Sequence, residues 1–436
     1  MLAKIKKVIP VSWLNTYHKC LALLANIIYG RPSEKMIVIG VTGTNGKSST
    51  VSLIAEILEG AGYKVGAAST TLFKIADKEK LNDKKMTMLG RLALQRLLSQ
   101  MVSAGCQYAV IETSSQGIEQ YRHLGIHYDV CVFTNLTPEH IEAHGGFENY
   151  KNAKLKLFQH LEDSPVKIIA GRKITKAIIA NGDDGYAKEF LNFQVDKKTI
   201  FGLADSNQIK AENVSYQPNG VGFTVGDEKF DLKLFGRFNI YNSLAAIAVA
   251  QSQGVALAQC RGSLEQVAGV PGRMEFIAVG QPFKVLVDYA PEPESMRQLF
   301  ATVKDHQLVG TDNKIIHVFG SCGGGRDISR RPILGELSAK NSDVCVITNE
   351  DPYDDDPQMI IDQVAEGASK SGKLEGENLF RILDRREAIK FALDLAQAGD
   401  LVLLTGKGSE QAICVANGRK LKWDERGVVR ELLKQL

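Results

Sequence analysis

The feature that most constrains this chain is a glycine-rich turn between an apolar run and a helical repeat. Residues 36–41 are apolar and rich in β-branched side chains, and residues 47–59 show the helical spacing of apolar side chains. The turn between them, residues 43–48, reads GTNGKS. Backbone N–H groups of such a turn point inward at an anion, and the following helix adds the positive end of its dipole. We therefore predict a phosphate-binding loop at the edge of a parallel sheet.

The full Walker A pattern would place a glycine at position 41, where this chain has Val41, so the match is to the shorter core G-x-x-G-K-S. A glycine-rich turn with a merely solvated lysine is the alternative. The lysine of the loop is expected to reach the outer phosphates, and the serine hydroxyl to bind Mg²⁺. The predicted phosphate contacts are Gly43, Thr44, Asn45, Gly46, Lys47 and Ser48.

Strand-like and helical runs alternate along most of the chain, which favours parallel α/β sheets. Shorter alternating runs at residues 201–235 predict an antiparallel edge, and Val-Pro-Gly at 270–272 interrupts the pattern before it resumes. We predict an α/β fold: a phosphate-loop domain with a parallel sheet, and a C-terminal doubly wound, Rossmann-like domain. The predicted parts are a helical segment at 1–35, a central domain at 36–270 and a last domain at 271–436. Predicted strands of the first sheet include residues 108–111, 130–134, 167–170 and 177–180.

The N-terminal segment carries basic residues at 4, 6 and 7, followed by an apolar stretch at 21–28 that is too short to span a bilayer. Cys20, Leu24, Ile27 and Ile28 fall on one helical face. We predict an amphipathic helix that packs this face on the main body, with a membrane anchor as the alternative.

The composition excludes some classes of function. The chain has 53 basic and 50 acidic residues among 436, so a nucleic-acid partner is not expected. Seven cysteines are scattered without a C-x-x-C pair, which supports neither a disulfide framework nor a zinc site and favours the cytoplasm.

Polar side chains follow two further strand ends. Glu112 comes after the strand at 108–111, and His140 follows the strand at 130–134. Because parallel strands deliver their carboxyl ends to one edge, both side chains are expected near the phosphate loop. We predict that Glu112 holds Mg²⁺ there, directly or through water. An acidic helix cap and a structural histidine are the alternatives.

The order of the motifs resembles that of the Mur ligase family, most closely the branch that adds the third residue of the muramyl peptide. The matching segments are residues 41–50 (VTGTNGKSST), 111–117 (IETSSQG), 133–145 (FTNLTPEHIEAHG), 150–154 (YKNAK), 235–246 (FGRFNIYNSLAA), 270–275 (VPGRME), 287–290 (VDYA), 384–389 (DRREAI) and 406–410 (GKGSE).

The resemblance implies an ATP-dependent carboxylate–amine ligase of peptidoglycan precursor synthesis. Such an enzyme uses ATP and Mg²⁺ to add an amino acid to a UDP-N-acetylmuramoyl peptide through an acyl phosphate. The implied partners are a nucleotide-sugar peptide and an amino acid, and the protein is expected to be a cytoplasmic monomer without a membrane span.

The resemblance also implies roles for single residues. Lys47, Glu112, His140 and Lys154 would be catalytic, with Lys154 carbamylated. Ser48 would bind a first Mg²⁺, and Glu112 and His140 would bind a second. Asn239 and Asn242 would lie near the base of ATP, and Arg273 and Asp288 would meet ATP when the domains close. The implied substrate contacts are Ser114, Gln120, Arg122, Glu350, Asp351, Tyr353, Gly406 and Glu410.

The chain departs from the family at four places. Only about 35 residues precede the first strand, so the family's domain for the uridine nucleotide is not matched. Gln116 and Pro291 stand where the family has histidines. The signature D-N-P-R of the diaminopimelate branch reads Asp351-Pro352-Tyr353 after an acidic Glu350, and three aspartates follow at 354–356. The missing arginine and the acidic neighbours suggest a cationic incoming amine, with lysine as first candidate. A solvated acidic loop is the alternative.

Three other functions stay open: a folylpolyglutamate-type ligase, a relative that acts on a lipid-linked or polymeric acceptor, and a nucleotide-dependent binding protein without catalysis.

Overall fold

The computed structural model describes residues 11–138 and 144–436, so His140 lies outside the described residues. Within these ranges the helices are α1 (Val11–Ile28), α2 (Lys47–Gly60), α3 (Arg91–Ser103), α4 (Ser115–Glu119), α5 (Phe147–Asp163), α6 (Ala187–Phe190), α7 (Arg237–Ser252), α8 (Leu257–Gln266), α9 (Pro293–Asp305), α10 (Arg330–Asn341), α11 (Pro357–Lys370), α12 (Arg385–Leu395) and α13 (Glu425–Leu433), with 3-10 turns at Pro32–Lys35 and Ala416–Gly418.

The strands of the first half are β1 (Ile37–Thr42), β2 (Val65–Ala68), β3 (Leu72–Ile75), β4 (Lys78–Leu81), β5 (Tyr108–Glu112), β6 (Val130–Phe133), β7 (Ile168–Ile169), β8 (Arg172–Lys173), β9 (Ala177–Asn181), β10 (Lys197–Gly202), β11 (Ile209–Lys210), β12 (Glu212–Gln217), β13 (Gly220–Val225) and β14 (Glu228–Leu232). Those of the second half are β15 (Glu275–Phe276), β16 (Lys284–Val287), β17 (Ile315–Phe319), β18 (Val344–Ile347), β19 (Leu379–Arg381), β20 (Leu401–Leu404), β21 (Ala412–Val415) and β22 (Arg419–Lys422).

The first large sheet has β1 near its centre. In the described part of the chain its order is β11-β10-β9-β6-β1-β5-β2-β3-β4. β1 pairs in parallel with β5 on one side and β6 on the other, so all three carboxyl ends meet at one edge. Helices α2 and α7 cover one face, and α3 and α5 cover the other. This double cover explains why the central strands read as continuous apolar runs.

Two local predictions for this half need adjustment. Residues 167–170 do not form a strand of the large sheet; β7 pairs only with β8, because Ala170 and Gly171 both have positive φ and turn the chain straight back. The antiparallel strands expected within residues 201–235 are present as β12, β13 and β14, but they form a sheet of their own.

The second large sheet has the order β15-β16-β20-β17-β18-β19 among the described residues, and β15 alone in it runs antiparallel to its neighbour. Helices α9, α10 and α11 pack on one face and α12 and α13 on the other. The predicted α/β class, with a phosphate-loop sheet followed by a doubly wound sheet, is therefore confirmed.

The N-terminal helix packs on the main body as predicted, but through a different face. Helix α1 forms, but Cys20, Leu24, Ile27 and Ile28 are exposed, and the helix instead contacts α3 and residues near Gly125 through Ala22 and its neighbours. Small side chains allow this close contact, and the large apolar ones point outward. No helix in the described ranges is both long and apolar enough to cross a membrane.

Candidate active site

The phosphate loop leaves the carboxyl end of β1 and enters the first turn of α2. Gly46 precedes this helix with φ +81°, a conformation that favours glycine. A Cβ at Gly46 would lie 2.3 Å from Oδ1 of Asn242, so the position is also closed to larger residues by contact with α7. The loop therefore has the backbone shape that its sequence predicts.

The neighbouring strand end holds the loop in place. The amide of Asn135 accepts a hydrogen bond from the backbone N–H of Asn45 at 2.8 Å, and Thr134 donates to the Asn45 carbonyl at 2.7 Å. The hydroxyls of Thr44 and Tyr150 lie 3.1 Å apart. Sequence reasoning assigned no role to Thr134, Asn135 or Tyr150, although the first two follow β6 and so share the edge of the loop.

Two lysines contact carbonyl groups of the loop. Nζ of Lys47 donates to the Thr44 carbonyl at 2.7 Å, and Nζ of Lys154 donates to the Gly43 carbonyl at 2.6 Å. Lys154 is buried and lies 4.5 Å from the centre of the Tyr150 ring. The expected carbamylation of Lys154 stays a prediction.

A buried carboxylate lies next to the loop. Ser48 Oγ donates to Oε2 of Glu112 at 2.8 Å, and the backbone N–H of Thr70 donates to the same oxygen at 2.6 Å. Glu112 is only 2% exposed. A hydroxyl and a carboxylate are the oxygen ligands that Mg²⁺ prefers, so these residues fit that ion. No group of three or more His, Cys, Asp or Glu side chains that could hold a metal occurs in residues 11–138 and 144–436.

A cavity of about 590 Å³ connects the phosphate loop with residues of the second half. Its volume lies in the range of small-molecule sites. The cavity brings together most of the predicted ATP contacts, but Gly43 and Asn239 do not line it. The predicted residues that line it are Thr44, Asn45, Gly46, Lys47, Ser48, Glu112, Asn242, Arg273 and Asp288. A buried ion pair of Glu292 and Arg330, which had no predicted role, also lines the cavity.

Asn239 lies behind Asn242 and positions it. Its Oδ1 accepts from Nδ2 of Asn242 at 2.9 Å, and its own Nδ2 donates to the Phe235 carbonyl at 2.8 Å. Thr50 donates to Oδ1 of Asn242 at 3.3 Å. Asn242 is thus fixed at the cavity wall. Asn239 does not line the cavity and holds Asn242 in position.

Asp288 fixes the backbone where the two halves meet. Its carboxylate accepts from the N–H groups of Met274 at 2.7 Å and Ala290 at 2.9 Å. Burial raises the pKa of Asp288, and the nearby Arg273 opposes that shift. The guanidinium of Arg273 lies 4.3 Å from the centre of the Tyr289 ring. Arg273 and Asp288, both predicted to contact ATP, therefore reach the cavity from backbone segments that the Asp288 carboxylate holds together.

An acidic pocket in the second half contains two lysines. Nζ of Lys407 lies 3.1 Å from Oδ1 of Asp351 and 2.8 Å from Oε2 of Glu410. Lys85, from the loop after β4, pairs with Asp351 and lies 3.1 Å from the same oxygen of Glu410. Burial alone would lower the pKa of Lys85, but Glu410 and Asp351 outweigh burial and raise it, so this ammonium stays charged. Sequence reasoning missed both lysines.

The other acidic residues near this pocket have separate partners. Glu350 is buried and accepts from the Cys322 thiol at 2.8 Å, and a Cβ at Gly406 would lie 2.4 Å from its Oε2. Asp354 accepts from the N–H of Asn417, and Asp355 pairs with Arg331. The acidic run is therefore neither a single cation pocket nor a freely solvated loop.

Tyr353 and the predicted acceptor contacts lie outside the cavity lining. A Cβ at Gly324 would be 2.6 Å from the Tyr353 ring, so the two are packed together. Arg122 donates to Gln120 Oε1 at 2.6 Å and to the Met88 carbonyl. Ser114 caps α4 by accepting from the N–H of Gly117. The structure thus groups Gln120 with Arg122, but it does not join them to the phosphate loop.

Comparison with known families supports this arrangement. The model of the Mur ligase middle domain matches residues 41–250, and that of the Mur ligase glutamate ligase domain matches residues 272–408. A UDP-N-acetylmuramyl-tripeptide synthetase from Roseiflexus sp. is 38% identical over 424 residues, which cover 95% of this chain and 82% of the relative. A UDP-N-acetylmuramoyl-L-alanyl-D-glutamate–2,6-diaminopimelate ligase from Geobacillus kaustophilus is 34% identical, over 98% of this chain and 85% of the relative.

Solved structures agree in fold. A UDP-N-acetylmuramoyl-L-alanyl-D-glutamate–2,6-diaminopimelate ligase has a TM-score of 0.60 at 30% identity, over 92% of this chain and 79% of that one. A folylpolyglutamate synthase from Mycobacterium tuberculosis has a TM-score of 0.68 at 15% identity, over 89% of this chain and 92% of that one. At this identity the likeness is one of fold alone. With relatives at this identity and coverage, the chain belongs to the Mur ligase family of ATP-dependent ligases.

Proposed function

We propose that this ligase adds an amino acid to the peptide carboxylate of a UDP-N-acetylmuramoyl dipeptide. The relatives named above as tripeptide synthetase and diaminopimelate ligase support this acceptor. The proposed site of action is the cytoplasm, since none of the seven cysteines, all within the described ranges, is in a disulfide.

The proposed reaction has two steps. The acceptor carboxylate attacks the γ-phosphate of ATP, which gives an acyl phosphate and ADP. The amine of the incoming amino acid then attacks the acyl carbon and expels phosphate. Lys47 and the loop N–H groups bind and orient the phosphates, while closure around the cavity excludes water from the acyl phosphate.

We propose that Ser48 holds one Mg²⁺ and that Glu112 and His140 hold a second. Bound there, the ions would supply positive charge that neutralises phosphate oxygens of ATP. Thr70 positions Glu112 through its backbone N–H, and its hydroxyl donates to Thr87 at 3.0 Å. Lys154, carbamylated or not, lies close enough to the loop to set its shape.

The ammonium of Lys85 lies between Asp351 and Glu410. This contact is the main support for where the incoming amine binds. This pocket already binds a primary ammonium, the group that an incoming amino acid presents. Lys85 lies two residues from Thr87, which lines the ATP cavity. We propose that the incoming ammonium replaces that of Lys85, and that lysine is preferred to diaminopimelate because Tyr353 cannot bind a second carboxylate as an arginine does.

The test is ADP release by the purified protein with Mg²⁺-ATP and UDP-muramoyl dipeptide, across amino acids that include lysine and diaminopimelate. We expect lysine to stimulate release and to yield the matching tripeptide by mass. Turnover with diaminopimelate but not lysine would contradict the amine preference. If no amino acid stimulates release while ATP still binds, the acceptor proposal fails, and folate-type or lipid-linked acceptors become the candidates.

A further inference from the structure

Helix α1 carries an apolar stripe that the rest of the described chain leaves uncovered. At 3.6 residues per turn, positions 13, 17, 20, 24, 27 and 28 share one face. Trp13 is 74% exposed, and Ile27 and Ile28 are each 60% exposed. Tyr17 and Leu24 continue the same stripe and are also exposed. Five large apolar side chains on one helical face exceed the scattered exposure of ordinary surfaces.

The opposite face of α1 explains why the stripe points outward. Ala22 and Ala25 are buried, and a Cβ at Gly125 would lie 2.9 Å from Cβ of Asn26 and 3.0 Å from the Ala22 carbonyl. The helix is therefore held close to the body through its small residues. A rotation that buried Ile27 would force larger side chains into this contact, so the outward orientation is set by packing.

The charge of this part of the sequence indicates what covers the stripe. Residues 1–30 contain four cations, Lys4, Lys6, Lys7 and Lys19, and no Asp or Glu, although basic and acidic residues are nearly balanced in the whole chain. Trp and Tyr toward one end of an apolar helical face, in a basic segment of sequence, are typical of helices that lie in the interface of an anionic membrane. An anionic bilayer matches both the apolar face and the charge.

We propose that α1 lies flat on an anionic phospholipid bilayer, with Trp13, Leu24 and Ile27 inserted among the acyl chains. Nζ of Lys19 lies 4.9 Å from the centre of the Tyr121 ring, between Gln120 and Arg122. Helix α1 thus adjoins the segment assigned above to the acceptor, and only this last consequence rests on the proposed function. Docking itself is independent of the reaction.

The test is flotation of the full-length protein with vesicles of phosphatidylglycerol or of phosphatidylcholine. We expect binding to the anionic vesicles, weaker binding at high salt and little binding to the neutral ones. Trp13 supplies a second measurement: in a Trp423→Phe variant it is the remaining tryptophan, and its emission should shift to the blue on anionic vesicles.

A matched pair of variants isolates the stripe. Leu24→Gln with Ile27→Gln should weaken vesicle binding at least about tenfold. Ile168→Gln, which alters an equally exposed side chain on β7, should leave it unchanged. Both variants should keep the wild-type melting temperature and ADP release, so a failed acceptor assay does not affect this outcome. Absence of binding to anionic vesicles, or equal binding by both variants, overturns the proposal. Self-association that only the stripe variant abolishes, without vesicle binding, identifies a second copy as the occupant and also overturns it.

Discussion

We propose that phosphate binding at this loop depends most directly on Lys47. Its ammonium already contacts the loop through the Thr44 carbonyl, so it needs only a small movement to reach a phosphate oxygen. Lys154 contacts the same loop through Gly43 but is buried, which suits a residue that shapes the loop. The two lysines therefore have different expected roles despite similar contacts.

Replacement of Lys47 by alanine should abolish most activity without unfolding the protein. The loop is held by Thr134 and Asn135, which the substitution leaves intact. Loss of one charged donor to the transferred phosphate should lower kcat/KM for ATP at least about 100-fold. Steady-state ADP release measures the effect, with Lys188→Ala at an exposed position of helix α6 as control. A loss of less than tenfold would remove Lys47 from its assigned role.

His317 should make stability depend on pH. It is fully buried between the hydroxyls of Ser338 and Thr405, and burial lowers its pKa to about 3. In the unfolded chain the pKa is about 6.5, so between these values the unfolded state binds the extra proton. The contribution of His317 to the free energy of unfolding is therefore fully present above about pH 6.5, and it is lost progressively as the pH falls below that value.

The magnitude of this effect can be isolated with a variant. Below pH 6, protonation of His317 in the unfolded state should lower the free energy of unfolding by about 1.4 kcal/mol for each pH unit. Denaturant unfolding at several pH values gives the slope of the unfolding free energy against pH. In a His317→Gln variant this slope should be smaller by that amount. Parallel slopes for the two proteins would mean that His317 does not titrate on unfolding.

At the scale of elements, Arg385 joins the start of α12 to α13 and to the end of β20. Its guanidinium pairs with Glu425, with one contact at 3.0 Å, and also donates to the carbonyls of Thr405 and Asn349. Arg385 and Glu425 are 1% and 0% exposed as side chains. The next residue, Arg386, pairs with Glu431 at the surface.

These neighbouring arginines predict very different effects of truncation. Arg385→Ala leaves a buried carboxylate without its main partner and should cost about 3–5 kcal/mol of unfolding free energy. Arg386→Ala removes an exposed, solvent-screened pair and should cost at most about 1 kcal/mol. Denaturant unfolding of both variants measures the difference, and equal losses would contradict the assigned role of the buried pair.

Local sequence patterns predicted the order of most elements, because periodicity and turn residues act over short distances. They could not give the orientation of α1, since periodicity identifies residues that share a face but not which face packs inward. Ala22 and Ala25 decided that by allowing close contact. Lys85 was missed for a different reason: its contact with Asp351 spans 266 positions, and nothing near Lys85 indicates a carboxylate partner.

At the scale of the molecule, the loop before α3 connects the two halves. Lys85 enters the acidic pocket, and Lys420 donates to the Lys84 carbonyl at 2.9 Å. We propose that the contact of Lys420 with the Lys84 carbonyl accompanies closure and that the hinge lies near residue 270. The domain boundary predicted at that residue stays a prediction. Asp288 would keep Met274 and Arg273 in place during that motion.

Removal of the Lys85 ammonium should ease entry of the incoming amine, because that amine is proposed to take the position of Lys85. Lys85→Met leaves Lys407 to neutralise Asp351, so the pocket keeps part of its charge balance. We expect the KM for the amino acid to fall roughly threefold to tenfold, the effect of losing a competitor worth about 1 kcal/mol. Lys84→Met, at the exposed neighbouring position, is the control. An unchanged or higher KM would show that the incoming amine does not use this position.

We propose that amide formation by this chain passes through an acyl phosphate. A UDP-muramoyl dipeptide that carries a heavy-oxygen label at both oxygens of its terminal carboxylate tests this step when it is turned over with ATP and the preferred amino acid. Attack by the carboxylate predicts that each released phosphate carries one labelled oxygen, with one ADP and one new amide bond per turnover. Unlabelled phosphate, or ADP release without amide formation, would contradict the account.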